Sequence, residues 1–228
     1  MHHKMHISEC TMRFYKMAPK TKFTRDEMIK TALSVVREKG DGELSARAVA
    51  DRLGTSTRPV FTCFETMENL RAAVLEEAEK ILDGYLMSSM RSNLAFFGVG
   101  MAYIRFAREE KRLFRLLFFS NGEALKVMER IQELTRPAMK NIYNLSDDDA
   151  DFYFDNLWLI THSYATLIAT DCCPYSDGEI AHSISLMSLS LCKALKEIPG
   201  FRHGGYDKDL LFRELIDGKT ENDRGGSI

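Results

Sequence analysis

The sequence predicts an all-α protein, with a three-helix helix-turn-helix head at the N-terminus and a helical body behind it, about nine or ten helices in all. Three observations carry this expectation. Apolar residues recur at helical spacing along most of the 228 residues, with no alternating run that reads as a strand. Good N-cap residues precede those runs. Two short helices near residue 54 are joined by little more than one glycine, which is the signature of a helix-turn-helix.

The elements follow in order. Residues 1–22 read as a tail; Met17 begins Met-Ala-Pro-Lys, which leaves residues 1–16 readable as an extension. Thr24-Arg25-Asp26-Glu27 forms a capping box, in which the Thr hydroxyl takes a backbone donor and Glu27 reaches back. Met28, Ile29, Ala32, Leu33 and Val36 then give the first helix its inner stripe, and Gly40 and Gly42 end it. Ser45 caps a second helix that runs to Leu53, and Gly54 supplies a left-handed turn. A third helix starts after Ser56 with Pro59 in its first turn, where a missing N–H costs nothing, and ends near Phe64. Ala50 is small where the helices cross, while Val49, Leu53, Val60 and Phe64 point inward. The outer face carries Thr57, Arg58, Phe61 and Thr62, with no carboxylate until Glu65. A solvated helix mixes both signs; this face suits phosphates and base edges. A plain helical hairpin shares the turn but not the face.

Residues 24–83 resemble the DNA-binding domain of the TetR family of transcriptional regulators. The segment that carries the resemblance is Leu44-Ser-Ala-Arg-Ala-Val-Ala-Asp-Arg-Leu-Gly-Thr-Ser-Thr-Arg-Pro-Val-Phe-Thr-Cys-Phe64, followed by Glu-Thr-Met-Glu-Asn-Leu70. The resemblance implies that Arg47 touches phosphate and that Thr57, Arg58, Pro59 and Thr62 face the major groove. Thr24, Arg25, Ser45, Ser56 and Phe61 complete the candidate DNA contacts. Two positions depart from the family. Phe61 stands where it usually has Tyr, and Met67 where it often has Lys, both phosphate contacts. The resemblance implies a homodimeric, ligand-responsive repressor on a palindromic operator; a TetR-fold sensor with weakened DNA binding is the alternative.

A long fourth helix is expected from Glu68 to about Tyr85, with Leu70, Val74, Ala78, Ile81 and Leu82 inward. Phe96 to Glu110 and Lys111 to Phe119 follow as helices, and Asn121-Gly122 breaks the chain. Glu123 to Tyr143 is amphipathic, with a kink expected at Pro137. Ser146 and the acids Asp147 to Asp149 begin a helix that reaches about Thr170, where negative charge favours the dipole. Ser176 or Asp177 caps the last long helix, which ends before Pro199-Gly200. The segments Gly100–Phe118 and Trp158–His162 resemble the regulatory domain of some TetR members, although Ser163 stands where Gly usually follows the His. This implies an unidentified small-molecule effector, with Tyr103, Phe106, Phe114, Phe118, Trp158 and His162 as candidate pocket residues, and dimerisation through the last two long helices. On those helices Phe152, Leu159 and Tyr164 suggest one apolar face. Ile180, Ile184, Met187, Leu191 and Leu195 suggest another, a stripe of the kind that more often serves the core of its own chain than an interface, and Ser183, Ser185, Ser188 and Ser190 allow close approach of a partner.

The expected domains are a tail over 1–22, a head over 23–67, a body over 68–217 and a tail over 218–228. Composition is that of a globular chain, 45% hydrophobic and 28% charged. The net charge of −2 divides unevenly: residues 1–70 hold 12 Lys/Arg against 9 Asp/Glu, and the rest is acidic. A basic head on an acidic body fits a DNA partner. The apolar run from Leu94 to Ala107 is interrupted by Arg105 and is too short for a bilayer, so no membrane partner is expected. Five cysteines without a framework, and no leader-like N-terminus, point to the cytoplasm. No phosphate loop, nucleophile elbow, zinc-protease motif or dinucleotide fingerprint is present, so neither an enzyme nor a cofactor is expected. His2, His3, His6 and Cys10 lack a supporting shell for a metal. Cys172-Cys173-Pro174, with His162 and His182 to either side, is read as two thiols, since vicinal cysteines do not readily chelate one tetrahedral ion.

Overall fold

A computed structural model describes residues 23–89, 95–120 and 124–217. The tails at 1–22 and 218–228, with the N-terminal histidines and Cys10, and the break at Asn121-Gly122 lie outside these residues. Ten α-helices occur, with no strand among the described residues.

Helix α1 (Arg25–Lys39) opens on the expected capping box. Glu27 N donates to Thr24 Oγ1 at 3.2 Å, and Thr24 N donates to Glu27 Oε2 at 2.7 Å. It closes at Gly40, whose φ of 93° a side chain rarely adopts. A short 3-10 turn at Asp41–Glu43 leads to α2 (Ala46–Leu53), where Ser45 accepts from Ala48 N at 3.1 Å. Gly54 stands in the left-handed region at φ 61°, ψ 41°, so α3 (Arg58–Phe64) turns back across α2. Met28, Leu33, Val36, Val49, Val60 and Phe64 are buried between the three helices and the start of α4 (Met67–Ser89).

The join between α3 and α4 holds an unusual turn. Glu65 lies at φ 64°, ψ −50°, and Thr66 N donates to Phe64 O at 2.7 Å. That is the rarer, strained form of the γ-turn. Asn69 holds it from above, since its Nδ2 donates to the same carbonyl at 2.8 Å and its N–H donates to Thr66 Oγ1 at 3.1 Å.

The body is layered around α4, α5 (Ala95–Glu109) and α8 (Asp147–Ala169), with α7 (Ala124–Tyr143) and α9 (Asp177–Glu197) against α8. Its core is continuous with that of the head. Ser146 caps α8, and Ser176 with Glu179 forms a second capping box at α9. Helix α7 continues through Pro137 to Tyr143.

The segment expected as one helix from Lys111 to Phe119 divides into α6 (Lys111–Arg115) and a π turn at Leu116–Ser120. Leu113, Phe114, Leu116, Leu117 and Phe118 are all buried. No single face of a 3.6-residue helix holds that set, and the wider π turn brings the last three inward. Two elements follow α9: a 3-10 turn at Phe201–His203 and α10 (Lys208–Asp217). Arg202 pins the turn to the acidic start of α8, 2.8 Å from Asp148 and 3.6 Å from Asp149.

Candidate DNA-facing surface and ring cluster

The outer surface of the head is built by α3 and the two N-caps beside it. Ser56, Arg58, Phe61 and Thr62 are exposed; Thr57 and Pro59 are half-buried at the start of the helix. Arg58 and Phe61 are three residues apart and share a face. Among the described residues Arg58 makes no ion pair, and Phe61 leaves 44% of its surface open. Thr62 returns its hydroxyl to Arg58 O at 2.9 Å. Arg47 on α2 is 88% exposed and lies 3.9 Å from Asp51, one turn on. Thr24 and Ser45 are exposed but use their hydroxyls as helix caps. Arg25 lies over the Phe64 ring, 5.3 Å from its centre. Met67 differs from Phe61, being half-buried and packed against the head core.

The six candidate pocket residues come from α5, α6, the π turn and α8, and they meet in one cluster. The Tyr103 ring lies 5.6 Å from Phe114, 5.5 Å from Phe118 and 5.0 Å from Trp158. Phe114 and Phe118 are 4.6 Å apart, and Phe106 joins at 6.4 Å from Phe114. Trp158 and His162, one turn apart on α8, stack at 5.4 Å with an interplanar angle of 16°. Tyr103, Phe106 and Phe114 are fully buried; Trp158 and His162 are half-buried.

One hydrogen bond orders the polar atoms of this cluster. Tyr103 Oη lies 2.9 Å from His162 Nδ1. Burial pushes the Tyr103 phenol well above its ordinary pKa, so it keeps its proton. Burial also lowers the His162 pKa, which favours the neutral ring. Two neutral partners share one hydrogen, given by the phenol to Nδ1 or by Nδ1–H to the phenol according to the imidazole tautomer. Surface clefts lie elsewhere. One of about 470 Å³ is lined by Ser88, Met101, Arg105 and Asp177, and one of about 520 Å³ by Leu44, Arg71, Leu75 and Leu116.

On the last two long helices the α9 stripe is largely internal, and the set expected on α8 is split. Ile180 and Ile184 are buried within the chain, and Leu191 and Leu195 pack on its core, so most of that stripe is intramolecular. Phe152, Leu159 and Tyr164 do not form one face. Tyr164 turns inward to donate to Ser183 Oγ at 2.9 Å, whereas Leu159 is 67% exposed. Ser188 meets the Tyr153 hydroxyl. These two serines thus serve the α8–α9 contact within the chain. The open apolar surface is instead Leu159 on α8 with Leu186, Met187 and Leu189 on α9.

Sequence reasoning missed the polar links between elements. Arg37 of α1 donates to Glu110 through Nε at 2.9 Å and Nη2 at 2.6 Å, and Arg112 Nη1 donates to Arg37 O at 3.1 Å. Arg130 of α7 lies 3.2 Å from Glu79 and 3.1 Å from Asp83, both on α4. No local pattern marks these partners, which lie far apart in the chain. No cluster of three or more metal-ligating side chains occurs among the described residues, and no helix among them is long and apolar enough to cross a membrane.

No family model matches the chain, and no curated protein is significantly similar to it. Solved structures are similar to it. A TetR-like transcriptional regulator from Rhodococcus sp. RHA1 is 14% identical, with 72% of this chain and 92% of that chain covered and a TM-score of 0.57. A putative transcriptional regulator from Pseudomonas aeruginosa PAO1 is 12% identical, with 84% and 98% covered and a TM-score of 0.57. The multidrug binding protein EbrR, complexed with imidazole, is 18% identical, with 72% and 88% covered and a TM-score of 0.51. At these identities the likeness is one of fold: the chain has the all-helical fold of the TetR-like regulators.

Proposed function

We propose that this protein is a ligand-responsive transcriptional regulator, a repressor that binds a palindromic DNA operator as a homodimer. The observation that carries the reading is the outer face of the head. Arg58 and Arg47 are exposed there, Arg58 without an ion pair among the described residues and Arg47 in a long, solvent-exposed pair with Asp51 at 3.9 Å. Helix α3 itself holds no acid. Arg47, with backbone groups near Thr24 and Ser45, positions the head on phosphates. Arg58, with Thr57, Pro59 and Thr62, meets base edges in the major groove.

Dimerisation joins α8 and α9 of two copies through Leu159, Leu186, Met187 and Leu189, whose open apolar surface supports this part of the reading. The two heads then enter successive major grooves on one face of the duplex. An effector acts at the ring cluster of Tyr103, Phe106, Phe114, Phe118, Trp158 and His162, where Nε2 of His162 is the ring nitrogen left over by the bond to Tyr103. It shifts the protein away from DNA only by its differential affinity for the two states.

Selection of bound duplexes from a random pool by the full chain tests the reading. Enrichment of an approximate palindrome is the expected result. A pool that remains random leaves the TetR-fold sensor without DNA binding, which the apolar Phe61 on the groove-facing surface favours.

A further inference from the structure

We propose that Cys172 and Cys173 form a two-thiol binding site for a monosubstituted trivalent arsenical. The site stands apart from the regulator reading and does not depend on it.

The pair lies in the connection between α8 and α9, fixed at both ends. On the α8 side Asp171 takes a left-handed conformation at φ 60°, ion-pairs with Lys111, and is followed by a hydrogen bond from Cys172 N to Leu167 O at 2.8 Å. On the α9 side the Tyr175 ring packs edge-on against Tyr164 at 5.7 Å, and the Ser176–Glu179 capping box starts the helix. Between these anchors stand two adjacent free thiols, Cys172 exposed and Cys173 half-buried. Their backbone is held, while their sulfurs are held only weakly. Cys172 Sγ donates to Thr170 O at 3.3 Å, and Cys173 Sγ to Tyr175 O at 3.8 Å. Sulfur is a poor donor, so turning both sulfurs toward one ligand gives up little.

The donor set selects the ligand. Zinc takes four ligands in a structural site, and no group of three metal-ligating side chains occurs among the described residues. Trivalent arsenic is soft, prefers thiolates, and needs three bonds. Two thiols supply two of them, and the organic substituent already occupies the third. With R–As(OH)₂, two As–S bonds form and two As–O bonds break. Each thiol proton leaves with a hydroxyl as water, so two waters are released. Nothing is oxidised or reduced, and the step proceeds in a reducing compartment.

Phenylarsine oxide, which hydrates to this form, is the probe, read by intact mass on the full chain. The triple variant Cys10→Ser, Cys63→Ser and Cys192→Ser retains only the vicinal pair. It is expected to gain one phenylarsenic group less two hydrogens, in an adduct that survives excess glutathione and is released by a dithiol. Adding Cys172→Ser or Cys173→Ser leaves one thiol, which removes the chelate advantage and weakens retention by roughly 100-fold or more. In the otherwise native chain, the Cys172→Ser, Cys173→Ser double variant is expected to lose the glutathione-resistant adduct, which keeps the test valid if the triple variant folds poorly. A resistant adduct in that double variant, or a folded triple variant without one, overturns the proposal.

Discussion

Replacing Phe61 by Tyr asks whether the outer face of α3 meets a phosphate backbone. Phe61 is 44% exposed, three residues after Arg58 on the same face, so a hydroxyl at the tip of its ring requires no cavity in the head core. Surface substitutions of this kind alter stability by less than about 0.5 kcal/mol, and the melting temperature should hold. On DNA the added hydroxyl donates one hydrogen bond per head to a phosphate oxygen, for roughly 0.5–1.5 kcal/mol net. Two heads then give roughly 1–3 kcal/mol, a tightening of about 5- to 150-fold. Tyr is neutral, so no further counterion is released and the slope of log affinity against log salt should not change. Sequence preference should not change either, because phosphate contacts position without specifying. Binding isotherms on the selected operator at several salt concentrations, with melting curves alongside, read all three quantities. A Phe61→Tyr protein with native melting and native affinity at every salt concentration would show that residue 61 does not face the backbone, and the placement of α3 would have to be redrawn.

Three further outcomes are expected. Arg58→Ala should remove roughly 1–3 kcal/mol of discrimination while sparing binding to random duplexes, and Arg47→Ala should weaken both alike; paired gel shifts on the two duplexes compare them, and equal losses for both variants would contradict the groove assignment. Leu189, 69% exposed on α9, should on change to Glu yield a monomer with a native helical spectrum, measured by sedimentation; a dimer that persists places the interface elsewhere. Burial lowers the His162 pKa in the folded chain below its ordinary value of 6.5, so the unfolded chain binds that proton more readily. Stability is then full above about pH 6.5 and falls as pH drops toward the folded value, by at most about 1.4 kcal/mol per pH unit and by less because water reaches the half-buried ring. Denaturation midpoints from pH 7.5 to 5.5 should show this slope flattened in His162→Gln, whose amide offers Tyr103 both a donor and an acceptor, and an equal slope in both proteins would sink the assignment.

The head was legible because its signals are local. Thr24 with Glu27, Ser45 with Ala48, and Gly54 each act within one helical turn, so spacing alone locates them. The ring cluster was legible as a set of residues but not as a geometry. Tyr103 and His162 are 59 residues apart, and nothing in either segment announces that their polar atoms meet. The π turn was not legible, because five buried side chains within six residues, Leu113 to Phe118, fit a fully buried helix equally well until neighbours fix which direction is inward. The partner of the α9 stripe was not legible for a related reason. Period 3.6 finds an apolar stripe but does not say whether its partner lies in the same chain. Here Ile180 and Ile184 meet the chain's own core, and Ser183 and Ser188 meet tyrosines of α8.

The link between head and body yields a last prediction, on Arg37 and Glu110. Arg37 lies in the last turn of α1, and Glu110 stands between α5 and α6. Their contact is bidentate, at 2.9 and 2.6 Å. An exposed ion pair is worth about 0.2–1 kcal/mol, and a planar bidentate pair lies at the upper end. The Glu110 side chain is only 16% exposed while Arg37 is 43% exposed. Removing the guanidinium therefore strands a largely covered carboxylate, whereas removing the carboxylate returns a cation to water. Arg37→Ala should cost more stability than Glu110→Ala, and the double variant less than their sum, with a coupling of about 1 kcal/mol. A loss of about 1 kcal/mol lowers the melting temperature by about 2–4 °C for a chain of this size. Arg112 complicates the accounting, because it donates to the backbone carbonyl of Arg37 at 3.1 Å. That bond survives either alanine substitution, so the head should stay docked and the coupling should report the side-chain pair alone. Added salt should shrink the coupling only partly, since the carboxylate is shielded from solvent. A coupling of zero at low salt would mean that packing of α1 against α6, and not this pair, holds the head on the body.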